Sequence, residues 1–219
     1  TLYPEVDYVF SGFRHAAELV VEAYSISIEP VLRQLFNEGV RHNIFLRAMQ
    51  KLGLPADEYL IKKMVTAYRH APSPLQPYSD FSLLCEFARR HQLSMAIHTD
   101  GIPSVQHMKI RRLGICSAFR HILCTDDLGG PAFRKPHPTS YHALLHNMGV
   151  SPKETLLIAD NPLKDFVTPR ALGIRCVRIR RPDGLYASQE PTTTEFLPHA
   201  EITGFHQLNE LSDLTFLSS

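Results

Sequence analysis

Three acidic side chains stand where they could do chemistry together. Asp100 follows the run Ser94-Met-Ala-Ile-His-Thr99, Asp126 follows His121-Ile-Leu-Cys-Thr125, and Asp160 follows Thr155-Leu-Leu-Ile-Ala159. Each run reads as a short strand ending in a polar tip. Carboxylates at neighbouring tips repel one another unless positive charge lies between them. A hard cation such as Mg²⁺, which takes one or two carboxylates together with water and phosphate oxygens, answers that need. Asp165 is expected in the first turn of the helix after Asp160, where it could share the ion. The simpler alternative makes Asp160 or Asn161 a helix cap and Asp165 a solvated first-turn acid. Lys135 precedes Pro136 in a loop. It is a compact charge suited to a phosphate or to clustered carboxylates, or else an ordinary solvated lysine. Thr99, Asp100 and Gly101 offer a hydroxyl and backbone N–H groups to a phosphate oxygen, or simply a turn that closes a strand.

The elements that must position these residues follow from periodicity. From Tyr78 onward, strand-like runs alternate with helical ones: a helix over 80–91, a strand over 94–99, helices over 103–113 and 139–148, strands over 121–125 and 155–160, a helix over 162–172, and a strand over 174–179. Strand and helix alternating at this spacing indicate an α/β fold, a doubly wound parallel sheet. In such sheets the reactive crevice lies at the carboxyl ends of the strands, where the three aspartates fall. Residues 6 to 71 are instead helical throughout, and the last helix of that stretch starts near Asp57 and Glu58. Ala71-Pro-Ser-Pro-Leu-Gln-Pro77 then breaks the pattern, since prolines cannot continue a helix.

Composition narrows the classes. The chain has 219 residues, with 23 basic and 22 acidic side chains and a formal charge of +1. No polybasic footprint for nucleic acid is present, and no apolar run approaches the roughly 18 residues of a membrane span. Cys85, Cys116, Cys124 and Cys176 form no C-x-x-C pair and read as reduced thiols of a cytoplasmic protein. His142 and His146 share a helix face with His137 nearby, which leaves zinc as an alternative. No cysteine or third histidine stands at a familiar ligand spacing.

Thr99-Asp-Gly101 with Gln106 and Lys109, then Lys135-Pro136, then Asp160-Asn-Pro-Leu-Lys-Asp165-Phe166, in this order and each after a strand, resemble the haloacid dehalogenase-like superfamily of hydrolases, in its helical-cap phosphatase branch. The resemblance implies a Rossmann-like core, residues 1–12 and 80–219, with an all-helical cap at 13–79 that closes over the crevice. It further implies an Mg²⁺-dependent phosphohydrolase that works through an aspartyl-phosphate on a small phosphorylated metabolite, a sugar phosphate or a nucleotide. Thr99 would bind the transferring phosphoryl group, with Asp100 and Gly101 beside it. Lys135 would offset charge on nucleophile and phosphate, Asp160 would hold Mg²⁺, and Asp165 would support the metal site or Lys135. Thr1-Leu-Tyr-Pro-Glu5 resembles the segment that follows the superfamily's first motif, Asp-x-Asp-x-Thr. The nucleophile and the acid/base aspartate are therefore expected upstream of Thr1, on a strand whose slot in the sheet would otherwise stand open. The 219 residues by themselves are expected to lack phosphatase activity. The alternatives are a catalytically inactive interaction or regulatory module and a metal-free haloacid dehalogenase. The paired Asp160 and Asp165 favour the phosphatase over the dehalogenase.

Overall fold

The computed structural model describes residues 1–211; residues 212–219, which the sequence reading assigned to the core, lie outside the described part. The chain divides into two compact units, Glu5–Leu75 and a second formed by Thr1–Pro4 with the chain from Gln76 onward. The boundary expected at residues 12 and 13 is displaced to residues 4 and 5. Its physical reason is that α1 runs unbroken over Glu5–Tyr24, with Tyr8, Val9, Phe13, Ala16, Ala17 and Val20 buried along one face. Asp7 is exposed on the opposite side.

Three further helices complete the helical unit: α2 (Glu29–Asn37), α3 (Ile44–Lys51) and α4 (Glu58–His70). Asp57 starts α4 by accepting hydrogen bonds from the backbone N–H groups of Tyr59 and Leu60, which satisfies two otherwise orphaned donors. Phe13 centres an aromatic cluster, with ring centroids 5.7 to 6.2 Å from Tyr68, Phe36 and Phe45. Such edge-on contacts add to the area buried. Gly12 lets α1 and α4 approach closely, since a Cβ there would lie 2.4 Å from the Tyr68 ring. Arg14 is exposed on α1. Arg41 lies over the Phe36 ring and donates to the Phe36 and Val40 carbonyls.

The second unit is the α/β one. Strand β1 (Ala96–Thr99) pairs in parallel with β2 (His121–Cys124), while β3 (Leu156–Ala159), β4 (Arg175–Ile179) and β5 (Ala200–Ile202) form a three-stranded parallel sheet. Helices α5 (Phe81–Arg90), α6 (Pro103–Arg112), α7 (Pro138–Met148) and α8 (Val167–Ala171) connect them. Phe87, Val177, Ile179, Ile202, Phe205 and Leu208 form one buried cluster, and Tyr141, Ala159, Phe166, Ile174 and Cys176 a second. Parallel strands buried in this way read as near-continuous apolar runs, which is why they were visible in the sequence.

The helix expected over 80–91 is α5, and the one expected over 162–172 is shortened. Asp80 precedes α5 but makes no capping bond. Its carboxylate instead takes both guanidinium nitrogens of Arg181 and the N–H of Phe205, tying the start of α5 to the segments after β4 and β5. The helix expected from Pro162 is only α8, Val167–Ala171. Asn161 Oδ1 accepts the Leu163 N–H and Asp165 accepts the Asn161 N–H, so side chains hold the preceding loop in a non-helical course. Asp165 therefore sits in that loop and not in a first helical turn.

Candidate active site

Asp100 ends β1 and Asp160 ends β3, and both face Lys135. The Asp100 Oδ1 accepts the backbone N–H of Lys135 at 3.0 Å and the Thr125 hydroxyl at 3.1 Å, and its Oδ2 pairs with Lys164 Nζ at 2.6 Å. Lys135 Nζ lies 2.8 Å from Asp165 Oδ1, with side-chain exposures of 13% and 4%. Asp160 pairs at 3.2 Å with the Thr1 α-ammonium, and the Thr1 hydroxyl also donates to it. Lys135 thus lies among the carboxylates that follow β1 and β3, in direct contact with Asp165 and close enough to Asp100 and Asp160 to be raised by them.

Asp100 and Asp160 are depressed by their cationic partners. Burial alone would raise Asp100, but Lys135 and Lys164 outweigh it and hold its pKa below the usual carboxylate value. Burial likewise opposes ionisation of Asp160, and the terminal ammonium, the Thr1 hydroxyl and Lys135 reverse the balance. At Asp80 burial is outweighed by Arg181 and the Phe205 N–H. Lys135 is raised although burial works against its charge, because Asp165, Asp100 and Asp160 surround it. Groups with depressed folded pKa values stabilise the protein above their unfolded value of about 4, and that stability disappears as pH falls through the lower folded values. The raised Lys135 contributes below its unfolded value of roughly 10.4 and loses that contribution at higher pH. Stability is therefore expected to be flat between about pH 7 and 9, to decline below about pH 6.5 because buried His98 stays neutral, and to fall more steeply below about pH 4. Urea titrations across pH read this directly; a maximum near pH 4 would contradict it.

Thr99 and Gly101 lie beside these charges. The Thr99 hydroxyl donates to Gln106 Oε1 at 3.2 Å. Gly101 adopts φ +120, and a Cβ there would come within 3.0 Å of Gln106 Nε2, so the turn requires glycine. Asp126, the third strand tip, is drawn aside into a two-pronged pair with Arg134 at 2.7 Å. The structure thus brings together Thr99, Asp100, Gly101, Lys135, Asp160 and Asp165, and leaves Asp126 outside the group.

Lys164 and His98 were not singled out in the sequence. Lys164 sits within the Asp160–Asp165 segment, and that position was its only signal. His98 has no sequence signal. Both its ring nitrogens are buried without a hydrogen-bond partner, and burial, then Lys135, lowers its pKa to about 3, so it is neutral.

A groove opens between the two sheets. Among the described residues β1 pairs only with β2, and β3 pairs on one side only, with β4. The free edges, Ala96 to His98 and Leu156 to Ala159, both line a cavity of about 440 Å³ that also reaches Thr1, Lys135 and Phe205. A cation could be held at its charged end. Asp165 Oδ1 is buried and, although 2.8 Å from Lys135 Nζ, receives no well-aligned hydrogen bond, which leaves it a lone pair for a metal ion.

The family of haloacid dehalogenase-like hydrolases matches residues 5–179. The chain belongs to this family. Among haloacid dehalogenase-like hydrolases, glyceraldehyde 3-phosphate phosphatase of Methanopyrus kandleri is 28% identical over 211 residues, which cover 92% of this chain and 88% of that protein. The magnesium-bound HAD-hydrolase YfnB of Bacillus subtilis matches the fold with a TM-score of 0.65 at 20% identity, covering 92% of this chain and 91% of that one. L-2-haloacid dehalogenase of Xanthobacter autotrophicus gives 0.63 at 22%, covering 96% and 94%. No helix among the described residues is long and apolar enough to cross a membrane.

Proposed function

We propose that this hydrolase is a Mg²⁺-dependent phosphatase of a small phosphorylated metabolite, completed by a strand that fills the groove between β1 and β3. The observation that carries the reading is the gathering of Asp100, Asp160 and Asp165 around Lys135, whose ammonium contacts Asp165 at 2.8 Å and whose backbone N–H donates to Asp100. A site that balances several carboxylates against one lysine is arranged to neutralise charge, which is the main task of a phosphoryl-transfer site.

A strand running parallel to β1 and β3 would satisfy the free N–H and C=O groups of both edges and deliver its last residues beside Lys135 and Asp160. A carboxylate delivered there is the nucleophile, attacking phosphorus to form an aspartyl-phosphate while the alcohol leaves. Lys135 holds that carboxylate and the phosphoryl oxygens in place. Thr99 and the backbone around Gly101 orient the phosphoryl group, and Asp100 fixes this loop through Lys164, Thr125 and the Lys135 N–H. Mg²⁺, held by Asp160 and Asp165, would neutralise phosphate charge when bound. Within the 219 residues Asp165 is paired with Lys135, Asp100 with Lys164 and Asp160 with the Thr1 ammonium, and the nucleophile is assigned to the added strand.

The substrate class follows the Methanopyrus kandleri relative, so glyceraldehyde 3-phosphate is the first compound to try, followed by other sugar phosphates and nucleotides. A metal-free dehalogenase is the second reading, favoured by sequence similarity to (S)-2-haloacid dehalogenase of Xanthobacter autotrophicus, 28% identical over 144 residues. A chain extended by an apolar strand ending Asp-x-Asp-x directly before Thr1, assayed on phosphate esters and on 2-haloacids with and without Mg²⁺, separates the two. Phosphate release that requires Mg²⁺ supports the phosphatase. Halide release indifferent to Mg²⁺ overturns it.

A further inference from the structure

A different set of side chains meets outside the groove. His107 lies on α6, Cys124 is the last residue of β2, and Asp127 falls in the turn that follows. Their imidazole nitrogen, sulfur and carboxylate oxygen all lie within 4.8 Å of one another, and among the described residues this is the one such trio of His, Cys, Asp or Glu donors. Cys124 is fully buried, His107 half-buried and Asp127 exposed, so sulfur forms the floor of a site open on one side. Neighbouring Asp126 is neutralised by Arg134, whereas no described cation pairs with Asp127.

We propose that His107, Cys124 and Asp127 form a zinc site, separate from the Mg²⁺ position, that fastens the turn after β2 to α6. Zinc accepts this mixture of sulfur, nitrogen and oxygen, with bonds of about 2.3, 2.0 and 2.1 Å, which puts tetrahedral donors roughly 3.3 to 3.6 Å apart. An inward movement of about an ångström closes the trio on one ion, with water in the fourth position on the open side. Magnesium is excluded because it prefers oxygen donors and does not favour sulfur. On binding, the Cys124 S–H proton passes to solvent and the sulfur bonds to zinc as thiolate; nothing is oxidised or reduced. The turn so fastened carries Thr125, which donates to Asp100, and Asp126, which holds Arg134 next to Lys135. Zinc therefore steadies the loop that leads to Lys135 without touching the groove.

Co²⁺ reports this site through the visible and near-ultraviolet spectrum, and Zn²⁺ through competition with a chromophoric chelator. The 219-residue protein is expected to bind one equivalent of Co²⁺ with a thiolate charge-transfer band that Zn²⁺ abolishes and Mg²⁺ does not. C124S should remove the band. H107Q and D127N, both at sites open to solvent, should weaken binding at least about tenfold and keep the fold should C124S lose it. H142Q, which removes the alternative helical pair with His146, should leave binding unchanged. Absence of the charge-transfer band, wild-type affinity in both H107Q and D127N, or loss of binding in H142Q would each overturn the site.

Discussion

Lys135→Met is expected to destabilise the α/β unit by about 3 to 5 kcal/mol, the usual cost of leaving a buried carboxylate without its partner. Methionine keeps most of the apolar stem, one atom shorter, and removes the charge and its hydrogen-bond donors. Asp100 retains Lys164 and Asp160 retains the Thr1 ammonium, so the loss falls chiefly on Asp165, which is 4% exposed in its side chain. Combining Lys135→Met with Asp165→Asn should recover roughly 1 to 3 kcal/mol, because both charges leave together. An asparagine oxygen can still accept the Asn161 N–H that Asp165 now takes. Urea unfolding followed by circular dichroism measures both values. A Lys135→Met protein within about 0.5 kcal/mol of the parent would mean that the lysine is solvated and the convergence carries no energy.

Asp160→Ala, made in the chain extended by the Asp-x-Asp-x strand, is expected to lower kcat by at least about a hundredfold, the scale of removing one preorganised electrostatic contact from a transition state. The Mg²⁺ concentration for half-maximal activity should rise at least about tenfold in the same variant. That second readout separates a metal ligand from a residue that only caps a strand, since a cap would change stability and leave the Mg²⁺ dependence alone. Unchanged kcat with an unchanged Mg²⁺ requirement would remove Asp160 from the site.

Much of this architecture was readable before any coordinates. The apolar runs ending at Thr99 and Ala159 announced strands because both faces of a parallel strand are buried, and the aspartates after them stood out as polar tips. The roles proposed for Thr99, Lys135, Asp160 and Asp165 rested on order along the chain, together with resemblance to a known family. Other features were not readable, for physical reasons. The α8 boundary moved because the side chains of Asn161 and Asp165 compete with helical hydrogen bonds, a contest that periodicity does not register. Strand β5 spans only Ala200–Ile202, too short and too polar at Glu201 to alternate visibly. The two-pronged contact of Asp80 with Arg181 joins residues 101 positions apart, and an aspartate before an apolar helix looks like a cap wherever its side chain goes. His107, Cys124 and Asp127 fit no ligand spacing, since they come from a helix, a strand and a turn.

The groove between β1 and β3 is the centre of the proposed function, and phosphate release tests it most directly. The 219-residue protein and the same chain preceded by an apolar strand ending Asp-x-Asp-x would be assayed side by side on glyceraldehyde 3-phosphate and on a generic phosphate ester, with Mg²⁺ and with a chelator. Turnover is expected from the extended chain in Mg²⁺ alone and from neither chain with chelator. Turnover by the 219 residues unaided, or none by a folded extended chain on either ester, would contradict it.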